Sequence, residues 1–179
     1  LIVAEAAGPV TCAKGLSINP HASFQSCPQL DYLLVPGGQG TRTEVNNSAL
    51  VGFVAEQAKG CKAVLSVCTG TFILHSAGLL SGKRATTHWA SLERLRALGD
   101  VEVVEERFVH DGGIWSSAGV SAGIDLALLL LVVGGRNLRQ QDDVGQHLGG
   151  VVADECLAAF GDDRVVKCQR FFEIGMHLR

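Results

Sequence analysis

The sequence of 179 residues contains no long run of Lys or Arg, and its formal net charge is −3. Proteins that bind nucleic acids or anionic membranes usually carry a concentrated positive surface. The longest apolar stretch, residues 126–133, begins directly after Asp125. It is far shorter than the roughly 20 residues that span a bilayer. We therefore expect no nucleic-acid partner and no membrane span, and a small-molecule partner fits this composition better.

The sequence also lacks a C-x-x-C pair, which would suggest a zinc knuckle or a redox motif. No basic and apolar leader precedes the first strand-like residues, so nothing directs the chain to an oxidising compartment. We expect a cytoplasmic protein with reduced thiols and no metal site. The six cysteines are Cys12, Cys27, Cys61, Cys68, Cys156 and Cys168.

Hydrophobic residues make up 47% of the chain and charged residues 18%, so ample apolar surface can be buried. The length is typical of one domain. Residues 1–133 carry a clear pattern of elements, whereas in residues 134–179 the segments 151–160 and 165–174 fit short helices as well as strands. We predict one domain over residues 1–133, followed by a tail that the pattern does not place.

Strands and helices alternate along the predicted domain. Residues 30–35 form an apolar run that predicts a buried parallel strand. Asn46 or Asn47 can cap a helix that runs to Ala58. The first three residues are typical of a strand as well.

The same alternation continues in the second half of the domain. Thr86 and Thr87 predict a short strand, and residues 91–98 predict a helix. Asp111-Gly112-Gly113 between two apolar runs is a favoured hairpin signal. An apolar helix should follow and end at Val133. This order of elements predicts a three-layer α/β sandwich.

Cys68 lies between a predicted strand over residues 62–67 and a predicted helix over residues 72–77. Unpaired N–H groups and the positive end of that helix would point at its sulfur, which favours the thiolate. A free cysteine is most often a small buried hydrophobe. However, open α/β folds bind ligands at the carboxyl edge of a parallel sheet. We predict that Cys68 is an activated nucleophile and that the other five cysteines are structural.

A glycine-rich loop, Pro36-Gly37-Gly38-Gln39-Gly40, follows the strand predicted over residues 30–35. Glycines would let backbone N–H groups approach a developing anion beside Cys68. Alone, a Gly-Gly turn is as often a simple loop. Its place beside the Cys68 strand favours an oxyanion hole.

Four segments together resemble the ThiJ/PfpI superfamily, whose fold is class I glutamine amidotransferase-like with a mostly parallel, flavodoxin-like sheet. The segments are Ser66-Val67-Cys68-Thr69-Gly70, Ala77-Gly78-Leu79-Leu80-Ser81-Gly82, Arg84-Ala85-Thr86-Thr87-His88-Trp89 and Ser117-Ala118-Gly119-Val120-Ser121-Ala122-Gly123-Ile124-Asp125. S-V-C-T-G and A-T-T-H-W look most like the isonitrile hydratase branch. They are also similar to the related sensor domains of AraC-type transcription regulators.

The resemblance implies that Cys68 is the nucleophile at an elbow and that His88 sits close to its thiol. It implies that Gly38 and Thr69 offer backbone amides. It also implies a pocket wall that includes Ser117, Ala118 and Gly119. A lone histidine such as His88 is equally well a hydrogen-bonded structural residue, so both roles stay open. The resemblance implies no metal and no organic cofactor.

Members of this family normally begin with a further strand and helix that carry an Asp or Glu bonded to the nucleophilic Cys. This sequence starts downstream of them, so we expect an N-terminally incomplete domain whose sheet lacks its first, central strand. Glu5 is not that acid, because it lies on what looks like the second strand. The acid partner of Cys68 is therefore unassigned.

The function implied first is a cofactor-free lyase that adds water to an isonitrile through a Cys68 thioimidate, giving an N-substituted formamide. A glyoxalase- or deglycase-like enzyme for reactive carbonyls is a nearby alternative. A third possibility is the ligand-sensing domain of an AraC-type regulator, although the tail offers no clear basic helix-turn-helix pair. An inactive relative would follow if the acid is truly absent. We expect a homodimer.

Overall fold

The computed structural model describes residues 1–12, 15–134 and 165–168. Its strands are β1 Ile2–Ala4, β2 Val10–Thr11, β3 Ser17–Ile18, β4 Ala22–Ser23, β5 Tyr32–Val35, β6 Ala63–Val67, β7 Arg84–Ala85, β8 Glu102–Val103, β9 Phe108–Asp111, β10 Ile114–Ser117 and β11 Val165–Cys168. Its α-helices are α1 Thr41–Glu44, α2 Ser48–Ala58, α3 Thr71–Ser76, α4 Leu92–Arg96 and α5 Val120–Gly134. Two 3₁₀ turns span Cys68–Gly70 and Trp89–Ser91.

The main sheet has the strand order β4-β1-β11-β5-β6-β10-β9. All neighbouring pairs in it are parallel except β9 and β10, which form an antiparallel hairpin. The turn of that hairpin contains Gly112 and Gly113, both with positive φ. The Asp-Gly-Gly hairpin prediction is thus confirmed, because glycine adopts this backbone without a steric penalty.

Alternation along β5 creates two cores, one on each face of the sheet. Leu33 and Val35 pack in a cluster with Leu50 and Val54 of α2 and with residues of α3. Tyr32 and Leu34 pack in the other cluster, with Leu126 and Leu129 of α5. Successive side chains of a strand point to opposite faces, so the buried run of β5 feeds both cores. The predicted three-layer α/β sandwich with a mostly parallel sheet is confirmed.

Helix α2 begins as the sequence predicts. Asn47 is its N-cap, and its Oδ1 accepts hydrogen bonds from the N–H groups of Ala49 and Leu50 at 3.0 and 3.3 Å. Such a cap satisfies donors that the first helical turn leaves without partners. The helix ends at Ala58, as predicted.

The predicted strand at Thr86 and Thr87 is wrong, because the strand there covers Arg84–Ala85 and stops before them. The Thr86 N–H donates to the side-chain hydroxyl of Ser116 at 2.9 Å instead of to a backbone carbonyl of a neighbouring strand. The Thr87 hydroxyl is drawn to the turn at Cys68. Side-chain partners have therefore replaced the ladder that a strand would need.

The position between β1 and β5 is occupied by β11, which pairs in parallel with both strands. We expected the first strand, which lies centrally in the sheet, to be missing; the central position is taken by a strand from later in the chain, and the N-terminally incomplete domain stays a prediction. For segment 165–174 both a short helix and a strand were left open, and residues 165–168 form a strand. Segment 151–160, by contrast, lies outside the described residues.

Of the helices in the described part of the chain, none is both long and apolar enough to cross a membrane.

Candidate active site

Cys68 stands at the carboxyl end of β6, where the chain turns sharply through Cys68–Gly70 into α3. Its φ is 57°, and it is the only non-glycine residue with positive φ in the described ranges. A left-handed backbone costs an L-residue roughly 1–2 kcal/mol and is found where the surroundings hold it. The strand, strained cysteine and helix form the nucleophile-elbow geometry predicted from the sequence.

Two glycines let the loop after β5 interlock with this turn. A Cβ atom on Gly37 would lie 2.6 Å from the Thr69 nitrogen and 2.8 Å from the Val67 oxygen. A Cβ atom on Gly70 would lie 2.2 Å from the Val35 oxygen. Real Cβ atoms do not approach backbone so closely, so both positions exclude larger residues. The loop therefore lies directly against the Cys68 turn, as its place in the sequence suggested.

Gly38, Thr41 and Thr69 form a compact hydrogen-bonded group beside Cys68. The Gly38 N–H donates to the Thr69 Oγ1 at 2.9 Å. The Thr41 hydroxyl donates to the Gly38 carbonyl at 2.7 Å, which fixes the loop against α1. Because the Gly38 amide already has a partner, its availability to a developing anion depends on releasing Thr69. The structure brings Gly38 and Thr69 together through this bond, and the role that the resemblance implied for their backbone amides stays a prediction.

The thiol of Cys68 is half-buried, and burial raises its pKa above the ordinary value. Hydrogen bonds from the Thr69 backbone N–H and from its hydroxyl act in the opposite direction and lower the pKa, but burial is the larger effect. The prediction of a favoured thiolate is therefore wrong. Its physical basis is also weaker than expected, because α3 has only six residues and follows a 3₁₀ turn.

His88 does not hydrogen-bond Cys68 in the described part of the chain. Its Nδ1 accepts a bond from the Ala90 N–H at 3.3 Å and caps the 3₁₀ turn that follows. Its ring lies 5.3 Å from the ring of Trp89, whose side chain is 76% exposed. The structure thus gives His88 a capping contact, which fits the alternative that it is a hydrogen-bonded structural residue.

Ser117, Ala118 and Gly119 lie where β10 passes into α5, next to the end of β6. The Ser117 hydroxyl is fully buried and donates to the Ser66 carbonyl at 3.2 Å. The Ala118 N–H donates to the Arg107 carbonyl at 2.8 Å. Ser117 therefore faces the interior, and only the half-buried Ala118 and Gly119 are left to border a ligand.

Buried hydroxyl groups beneath the turn were missed by sequence reasoning. The Ser66 hydroxyl lies 3.0 Å from that of Thr71, and the Thr71 hydroxyl donates to the Thr86 carbonyl at 2.9 Å. The Thr87 hydroxyl donates to the Cys68 carbonyl at 2.9 Å. Periodicity treats these side chains only as candidates for strand or helix. The sequence contains one signal of a tight turn here, namely Gly70, because elbow motifs place a small residue two positions after the nucleophile. It contains no signal of the hydroxyl groups beneath the turn.

Among the described residues, no group of three or more His, Cys, Asp and Glu side chains is placed so that it could hold a metal ion.

Comparison with known proteins places this geometry in context. Residues 1–146 match the model of the DJ-1/PfpI family. The chain is 45% identical over 122 residues to the isonitrile hydratase of Pseudomonas putida, covering 68% of this chain and 53% of that protein. It is 33% identical over 125 residues to the HTH-type transcriptional regulator CdhR of Pseudomonas aeruginosa, covering 69% of this chain and 37% of the regulator.

A solved structure of a ThiJ/PfpI family protein from Pseudomonas syringae superposes with a TM-score of 0.67 and 37% identity. The superposition covers 74% of this chain and 55% of that one. The chain spans about half the length of the hydratase and little more than a third of the regulator.

Proposed function

This chain belongs to the DJ-1/PfpI family, and on that basis we propose that it is an isonitrile hydratase-like enzyme with Cys68 as its nucleophile. The observation that carries the proposal is the left-handed Cys68 at the elbow after β6. Strain of this kind concentrates at functional sites. The 45% identity to an isonitrile hydratase supports the choice of substrate class.

The proposed reaction begins with addition of the thiol across the terminal carbon of the isonitrile. The sulfur forms a bond to that carbon, and the thiol proton ends on the same carbon, giving a thioimidate. Burial keeps the resting thiol protonated at neutral pH, so the proton that the carbon gains is already at the site. The substrate nitrogen keeps its substituent throughout.

Water completes the proposed cycle. It attacks the thioimidate carbon, its oxygen forms the new bond, and the substrate nitrogen gains a proton. The tetrahedral adduct then expels sulfur, which recovers a proton, and releases the N-substituted formamide. The sum is one isonitrile plus one water, so the reaction needs no oxidant or reductant. We assign to the Thr69 hydroxyl, which accepts a hydrogen bond from the Gly38 N–H, the role of orienting groups at this carbon.

The test is conversion of cyclohexyl isonitrile to N-cyclohexylformamide, followed by proton NMR. The wild-type chain should form the product, and Cys68→Ala and Cys68→Ser should not. Cys61→Ala is the matched control, because Cys61 is a half-buried free cysteine that packs against the core just before β6 begins. Product formation by Cys68→Ala, or none by the wild type, would overturn the proposal.

A ligand-sensing role is the second candidate, favoured by the match to the regulator CdhR. A sensor domain would bind a small molecule without consuming it. A ligand-dependent rise in melting temperature, with the ligand recovered unchanged, would support this role over the enzyme. Turnover of methylglyoxal without turnover of isonitrile would instead favour a glyoxalase- or deglycase-like activity on reactive carbonyls.

We also propose that the protein acts in the cytoplasm as a homodimer, without nucleic acid, metal or organic cofactor. Sedimentation equilibrium tests the dimer directly, and a monomer at micromolar concentration would contradict it. Fractionation of cells tests the compartment.

A further inference from the structure

The Thr87 hydroxyl forms a long-range bond to the backbone of the nucleophile elbow. It donates to the Cys68 carbonyl oxygen at 2.9 Å across 19 positions of sequence. Thr87 is 1% exposed, so water does not compete for this bond. In such surroundings a hydrogen bond holds geometry more firmly than at the surface.

Thr71 lies near the same carbonyl but has a better acceptor. Its Oγ1 is 3.2 Å from the Cys68 oxygen and 2.9 Å from the Thr86 oxygen. A hydroxyl has one proton to donate, and the shorter contact takes it. Ser66 then fits as a donor to Thr71 at 3.0 Å. Thr87 is thus the hydroxyl whose proton belongs to the Cys68 carbonyl.

This carbonyl matters because Cys68 has a left-handed backbone. A residue in that conformation relaxes unless its neighbours fix both of its peptide groups. The thiol, in turn, meets the Thr69 N–H and hydroxyl only while the turn keeps its shape. Burial and these two bonds account for the departure of the Cys68 pKa, and no charged side chain of the described residues is among its causes.

We propose that Thr87 is a positioning residue for the Cys68 thiol, because its bond to the Cys68 carbonyl holds the left-handed turn and thereby the distance from sulfur to the Thr69 donors. The inference rests on the proposed role of Cys68 as the nucleophile. Thr87 itself does not touch the reacting atoms in this scheme.

The experiment measures modification of Cys68 by iodoacetamide from pH 6 to 10, resolved by peptide mass spectrometry. Thr87→Val removes the hydroxyl and keeps the side-chain shape, and Thr87→Ser keeps the hydroxyl. Thr86→Val is the matched control, because Thr86 is equally buried and its hydroxyl donates to the Glu106 carbonyl at 3.2 Å. Thr87→Ala replaces Thr87→Val should the latter not fold.

Thr87→Val should move the midpoint of the pH profile upward and slow modification at pH 7.5 by about threefold to tenfold, the range expected for one lost hydrogen bond. Thr87→Ser should stay within about twofold of the wild type. Thr86→Val should lose stability without moving the midpoint. An unmoved midpoint in Thr87→Val, or an equal movement in Thr86→Val, overturns the positioning role.

Isonitrile turnover gives an independent second readout. A wild type without turnover, together with a moved midpoint in Thr87→Val, overturns the proposed hydratase function and supports the positioning role. Normal turnover by the wild type, together with an unmoved midpoint in Thr87→Val, supports the hydratase function and overturns the positioning role. For an active enzyme, Thr87→Val should lower kcat and leave KM nearly unchanged, and Thr87→Ser should restore kcat.

Discussion

Gly37 and Cys68 are packed so closely that a Cβ atom at position 37 would lie 2.9 Å from the Cys68 Cβ. The nearest backbone atoms around that point belong to Val67 and Thr69, which the sheet and the turn hold in place. The loop after β5 and the elbow after β6 are therefore in close contact, and a shift of one segment toward the other would create a steric clash.

Gly37→Ala should destabilise the fold and disturb the elbow. The added methyl group has only backbone and the Cys68 side chain to displace, and overpacking of this kind typically costs about 1–3 kcal/mol. Urea unfolding at pH 7 measures the loss of stability. The rate of Cys68 modification should also differ from that of the wild type. A variant as stable as the wild type would show that the loop is more loosely packed than described.

Gly52→Ala is the opposite case and serves as its control. Gly52 is exposed within α2, and a Cβ atom there would meet nothing within 4 Å. Alanine is the better helix former by about 0.5–1 kcal/mol. The same unfolding experiment should therefore show a gain in stability, and a loss would contradict the described course of α2.

Cys68 should be modified before Cys61 when both compete for limiting iodoacetamide at pH 8. Burial, reinforced by Asp31 and Cys27, raises the pKa of the Cys61 thiol to about 11. Thr69 opposes the effect of burial at Cys68. Since the thiolate is the reactive species, peptide mass spectrometry should find the first label on Cys68. First labelling of Cys61 would contradict the prediction.

Thr69→Val should raise the pKa of Cys68 further. The substitution removes the side-chain hydrogen bond that lowers this pKa and leaves the effect of burial. The pH profile of Cys68 modification should move to higher pH, and Thr69→Ser should move it much less. A profile that is the same in Thr69→Val and the wild type would mean that the hydroxyl serves only its bonds to Gly38 and Thr41.

Stability should fall in alkaline solution partly because of Cys61. Its pKa rises from 9.0 to about 11 on folding, so the unfolded chain loses this proton first. The contribution is fully present below pH 9 and is lost as pH rises toward 11. Cys61→Ala should lose less stability than the wild type over that interval. Equal losses in urea midpoint for the two proteins would contradict the raised pKa.

The sequence predicted the elements whose causes are local. Asn47 caps α2 through N–H groups two and three residues ahead, and Gly112 and Gly113 meet the needs of a two-strand turn. Cys68 was identified as the elbow because strand and helix patterns meet there. Each of these predictions depends on neighbours within a few positions.

The errors concern partners far apart in sequence. Thr86 and Thr87 look like strand residues until their partners at Ser116 and Cys68 are known. The direction of the Cys68 pKa shift depends on how much of the folded protein covers the thiol, which no pattern gives. The resemblance implied a backbone amide from Gly38, whereas the close approach of the loop to the turn depends on Gly37.

The left-handed backbone at Cys68 also imposes a trade-off between the stability of the fold and the proposed catalytic activity. Glycine adopts a φ of 57° freely, so a chain selected only for resistance to heat would carry glycine, or asparagine, at this position. In the proposed scheme the Cys68→Gly variant is inactive. Its fold regains the roughly 1–2 kcal/mol of backbone strain and loses the packing energy of the thiol. Among the non-glycine residues that the structure describes, only Cys68 holds this strain, and it is the residue assigned to react.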